Sequence, residues 1–150
     1  MRTVLAVALI ACGATAAWAD KLPKNASPMA ADEITKLYAG NSQVSKISNI
    51  YFDPAGTTKG VLGKPKPTGT FSGKWSVTGN EFCMNNTPKG DSKTYTDCNK
   101  FWKVGNKIWN LWSVHYDGSK ADEGKGYDPG LPSLKPGDLV SKKYAEMGGT

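Results

Sequence analysis

The sequence predicts a mainly all-β fold: a small antiparallel meander curled into a barrel or half-open sandwich, with one short N-terminal helix packed against it. Two paired runs and a cysteine pair carry this expectation. From Phe71 to Val77 the apolar positions Phe71, Trp75 and Val77 alternate with Ser72, Lys74 and Ser76, the period-two pattern of a strand with one wet face. Gly79-Asn80 and, further on, Gly105-Asn106 each separate two such runs, and glycine at the first central position suits a type II′ hairpin turn. Cys83 and Cys98 lie between the two hairpins.

In the first hairpin, a two-residue loop places Thr78 opposite Glu81, Val77 opposite Phe82, Ser76 opposite Cys83 and Trp75 opposite Met84. Trp75, Val77, Phe82 and Met84 then share one apolar face. The second hairpin pairs Val104 with Lys107 and Trp102 with Trp109. It is apolar on both faces, with Trp102, Trp109 and Leu111 on one and Phe101, Ile108, Trp112 and Val114 on the other. Such a pair belongs at the centre of a sandwich or inside a wrapped barrel, unless a bulge resets its register.

The chain begins with the features of an export signal. Met1-Arg2 is followed by an apolar run and by Ala17-Trp18-Ala19, a small-x-small cleavage pattern. The expected signal peptide covers residues 1–19, too short for a transmembrane helix. The rival is a lipobox at Leu9-Ile10-Ala11-Cys12-Gly13, with lipid on Cys12. Cleavage after Ala19 leaves 131 residues, a single domain by length. Arg2 is the only arginine of the chain, so what remains holds 18 lysines against 13 acidic residues, a charge of +5. Scattered lysines without arginine argue against nucleic-acid recognition, which uses bidentate guanidinium contacts; they leave a weak attraction to anionic surfaces. The location expected is periplasmic or secreted.

Removal of Cys12 leaves Cys83 and Cys98, an even count that implies a disulfide in an exported protein. It closes a loop of about 15 residues, worth roughly 3 kcal/mol in the chain-entropy picture. By the hairpin register it sits on the outer side, where it ties down residues 85–97, read as a polar loop.

The remaining elements follow in order. Residues 20–27 are polar and loose. Ser27-Pro28 is a helix start, Ala30, Ile34, Leu37 and Tyr38 form one face, and Gly40 is the stop. Residues 46–53 and 57–62 read as strands around the turn Asp53-Pro54-Ala55-Gly56, and residues 63–69 as a loop. That makes about six strands within a β-rich domain at 28–115. Residues 116–150 form a Gly/Pro-rich extension, irregular through 136, with a short C-terminal helix within 139–147.

No motif carries a recognisable chemistry. The acidic stretch from Asp117 to Glu123 fails the calcium-loop pattern at Ala121 and is opposed by Lys120 and Lys125. Gly63-Lys64 lacks Walker A spacing. His115 is the only histidine and makes a poor zinc site alone. It shares a strand face with Ser113, but no nucleophile elbow accompanies them. No catalytic residue, metal or cofactor is therefore assigned. The candidate ligand-binding residues are Trp75, Trp102, Trp109 and Trp112, whose rings either line a pocket or fill the core.

One run of features goes further. It comprises Met29-Ala30-Ala31-Asp32-Glu33-Ile34 with Leu37-Tyr38-Ala39-Gly40, Tyr51-Phe52-Asp53-Pro54-Ala55-Gly56-Thr57, Gly73-Lys74-Trp75-Ser76-Val77 leading to Cys83, and then a second cysteine with an aromatic strand. In order and spacing this resembles the DUF995-like family of small exported proteobacterial proteins of unknown function, over roughly residues 29–115. The resemblance implies an envelope location and a small mostly-β domain, and supplies no activity. The function expected is a non-enzymatic small-ligand-binding module. The alternatives are a structural or interaction protein acting on an envelope partner, and a small hydrolase.

Overall fold

The structure is a computed structural model that describes residues 21–121 and 124–149. The expected signal peptide, Cys12, and Asp122 and Glu123 of the acidic stretch lie outside the described residues. In chain order the elements are β1 (Ser27–Pro28), α1 (Ala31–Tyr38), β2 (Asn41–Val44), β3 (Ser48–Phe52), β4 (Thr57–Leu62), β5 (Gly69–Thr78), β6 (Glu81–Pro88), β7 (Tyr95–Val104), β8 (Lys107–Val114), β9 (Tyr127–Pro129), β10 (Leu134–Pro136) and α2 (Ser141–Glu146). All strand pairings are antiparallel, and β2 to β9 follow one another across a single curled sheet. The expected mainly-β meander with a small helix is the fold observed. Among the described residues, no helix is long and apolar enough to cross a membrane.

Both hairpins form in the expected register, with Trp75 opposite Met84 and Trp102 opposite Trp109. Gly79 and Gly105 have φ of +58° and +59° while the asparagines after them keep negative φ, as a type II′ turn requires. The inner face of the sheet collects Phe52, Phe71, Trp75, Phe82 and Phe101 around α1, which contributes Ile34 and Tyr38. These side chains are almost wholly removed from water, and their burial is the main force holding helix to sheet. α1 thus plugs one end of the curl.

Several boundaries differ from expectation, each for a physical reason. The helix starts at Ala31 because Ser27 and Pro28 pair with Lys103 and Trp102 of β7. The Glu33 carboxylate then accepts the Ala30 N–H at 3.1 Å, which satisfies an exposed helix-start donor. Glu33 also pairs with Lys103. β2 is a polar strand, Asn-Ser-Gln-Val, with no alternation to reveal it. Residues 85–97 are not a loop: β6 runs to Pro88 and β7 begins at Tyr95, leaving only 89–94 as the connection. Cys83 and Cys98 are direct cross-strand partners, and their disulfide staples two paired strands.

Residues 116–136 are not irregular throughout. They supply β9, which pairs with β8, and β10, which pairs with β2. The two edges of the meander are therefore covered by consecutive strands joined through residues 130–133. That link is bonded to both sides: Gly130 N–H donates to Ile108 O at 2.7 Å and Val44 N–H donates to Ser133 O at 2.8 Å. The sheet is closed by chain rather than by a hydrogen-bonded ladder, which leaves a seam between β10 and β9. α2 packs outside, where Val140 and Tyr144 meet Val61.

Candidate functional site

The seam opens into the end of the curl that α1 does not fill. A cavity of about 480 Å³ lies there, within the usual range for small-molecule sites. Tyr38, Phe82, Ile50 and Met84 form its apolar floor, and Asp97 and Trp112 face it from β7 and β8. A second, smaller lobe of about 190 Å³ shares Ile50, Met84 and Asp97 and adds Asn86, Tyr95 and Tyr116. Asp97 sits where the two lobes meet.

The local sequence explains why polar groups reach this interior. Along β7 the inward positions are Tyr95, Asp97, Asn99 and Phe101, by their pairing with Asn86, Met84 and Phe82 of β6. Only Phe101 is an ordinary core residue; the other three line the open end. A β-bulge opposite Cys98/Asn99 then shifts the pairing of β8, so that Asn99 faces Trp112 while Cys98 faces Val114. The extra residue lets Trp112 and His115, three apart in sequence, serve the same face. Their rings lie 4.1 Å apart between centroids, and the Trp112 Nε1–H donates to Asp97 Oδ1 at 2.5 Å.

Burial pushes the Asp97 carboxyl above the usual aspartate range, against the opposing effects of the Trp112 hydrogen bond and the nearby His115. Asp97 forms no ion pair with a described residue. Tyr38 is 1 % exposed, and burial, with the Asp97 charge adding to it, pushes its phenol well up. Its ring stacks on Phe82, and the residue lines the cavity. Beside the smaller lobe, Thr58 Oγ1 donates to Asn86 Oδ1 at 2.5 Å.

The four tryptophans do not converge. Trp75 is core, with its Nε1–H given to Asp53 O at 2.9 Å. Trp102 and Trp109 pair on the outer face, where Trp102 meets Tyr127 edge-on at 5.3 Å. Trp112 alone of the four lines the cavity and is 40 % exposed. The bulge also separates the Ser113/His115 pair. Ser113 Oγ donates to Glu81 Oε1 at 2.6 Å, and His115 lies against Trp112. Asp117 turns inward on its own loop, accepting from Ser119 N–H and Oγ at 2.9 and 2.7 Å, which holds its carboxyl below the usual range. Tyr38 and Asp97 were not legible as site residues. The signal available for Asp97 was a polar residue in the inward register of a strand, hidden because its segment read as a loop.

A curled antiparallel sheet, plugged at one end by a helix and hollow at the other, defines a small half-barrel domain with an internal cavity. The chain belongs to the DUF995 family, described as proteins of unknown function, whose pattern matches residues 6–118. The match ends before β9, β10 and α2. No curated protein and no solved structure matches the chain.

Proposed function

We propose that this protein is a non-enzymatic small-ligand-binding module, exported to the periplasm or secreted, whose ligand enters at the seam and lies in the cavity of the half-barrel. The observation that carries the reading is the cavity itself, about 480 Å³, floored by the apolar side chains of Tyr38, Ile50, Phe82 and Met84 and bordered by the Asp97 carboxylate and the Trp112 ring. A concave, mostly apolar hollow with a few polar groups is the usual form of a small-ligand site. The disulfide is compatible with an oxidising compartment. The competing reading, capture of an envelope partner by residues 116–136, draws less support, because much of that segment's backbone is engaged at the sheet edges.

Native and denaturing mass spectrometry of the protein exported by a bacterial host tests the proposal. The expected result is a mass for cleavage before Asp20, two hydrogens lost at Cys83 and Cys98, and a co-purified small molecule released on unfolding. An apo protein that also shows no Trp112-dependent fluorescence change with small amphiphiles would count against it.

A further inference from the structure

The geometry points to an organic cation as the ligand: an ammonium group seated against the Asp97 carboxylate beside the Trp112 ring, carried on an apolar body that lies over Ile50, Phe82 and Met84. The inference rests on the binding-module reading and names the ligand class of the same site.

Three observations carry it. First, Asp97 is a part-buried carboxylate whose one hydrogen-bond donor is a neutral indole. His115 acts on that charge without a hydrogen bond to it, and a cationic guest offsets more of the cost of removing the carboxylate from water. Second, the aromatic rings around the carboxylate suit a cation. The Tyr38, Tyr95 and Tyr116 rings that line the two lobes have electron-rich faces, which attract ammonium groups. Lys46, the lysine that lines the larger lobe, is exposed at its rim. Third, the rim is apolar where a ligand would leave the cavity. Ile47 is 75 % exposed and Tyr116 61 % exposed, and they border the larger and smaller lobes respectively. Such a rim fits a ligand that is cationic at one end and hydrocarbon at the other, and the floor below Asp97 is apolar enough to receive that hydrocarbon.

Calorimetric titration with octyltrimethylammonium, octylammonium, octanoate and octanol tests the inference. Both cations are expected to bind, with octanoate at least tenfold weaker. The near-isosteric Asp97→Asn variant, shown to be folded by circular dichroism, is expected to lose at least tenfold in cation affinity while octanol binding stays unchanged. If octanol or octanoate binds as tightly as the cations, or if Asp97→Asn leaves cation affinity intact, cation recognition is overturned and the binding-module reading survives. If none of the four probes binds, both are overturned. The selectivity of the wild-type protein among the probes decides the matter even if the variant does not fold.

Discussion

Tyr38 stacks on Phe82 with ring centroids 3.9 Å apart and planes 14° from parallel. This contact ties the last turn of α1 to β6 and makes the plug of the barrel also the floor of its cavity. Phe52 meets both rings edge-on, at 5.0 and 5.5 Å. Tyr38→Ala should therefore cost about 3–5 kcal/mol, the range for removing a large buried ring. Tyr38→Phe keeps the stack and removes only the hydroxyl, so its urea midpoint should match that of the wild type. A lowered midpoint in Tyr38→Phe would show that the hydroxyl has a structural partner.

Asp97 predicts a pH dependence with a definite sign. Because burial raises its folded carboxyl, the native state keeps a proton that the unfolded chain has released. Stability then falls as pH rises from the ordinary aspartate value, about 3.9, through the raised folded one, and the cost persists above it. Asp97→Asn removes the cost and keeps an acceptor for the Trp112 indole. At pH 7 the variant should therefore melt at a higher temperature than the wild type. That advantage should shrink towards zero as the pH falls below about 4. Melting curves at pH 3.5 and pH 7 compare the two proteins directly.

The Cys83–Cys98 bridge joins residues already paired in the sheet, with Cα atoms 4.1 Å apart. Reduction should leave the β-sheet spectrum intact and lower the unfolding free energy by about 2–4 kcal/mol, through the freer unfolded chain. Denaturant titration with and without a reductant measures it. Loss of folded structure at zero denaturant would indicate a larger role.

Gly60 and Phe71 face each other across β4 and β5, and the Phe71 ring covers the glycine so closely that a Cβ there would lie 1.9 Å from Cζ. Gly60→Ala must displace a ring of the core that is 7 % exposed, and should cost about 1–3 kcal/mol, as overpacking does. Because Phe71 also lines the smaller lobe, the same change should alter that lobe while leaving the Asp97–Trp112 hydrogen bond in place. Thermal melts and indole NMR shifts separate the two effects.

How much of this was legible follows from where the local signals lie. The register of both hairpins could be read, since Gly79 and Gly105 fix the turns and alternation fixes the faces. β2, β9 and β10 could not: Asn-Ser-Gln-Val, Tyr-Asp-Pro and Leu-Lys-Pro have no apolar period, and they become strands only because a neighbouring edge offers them partners. The site was harder still. The face shared by Trp112 and His115 depends on a one-residue bulge, and the place of Tyr38 in the cavity wall depends on a hollow that no linear pattern encodes. The tryptophans drew attention for their size, and three of the four sit in the core or on the outer face.

The covering of β2 by β10 also has a consequence for biosynthesis. Ser42, wholly buried, donates to Gly137 O and accepts from Leu139 N–H, so the strand that opens the meander is completed by residues made some 95 positions later. While the chain is being made, the edge of β2 lacks its final neighbour until some 95 further residues have been added. A greasy strand left open for that long would recruit other nascent chains. The polar character of Asn41, Ser42 and Gln43, which hid this strand from a reading of the sequence, makes the waiting edge a poorer template for such pairing.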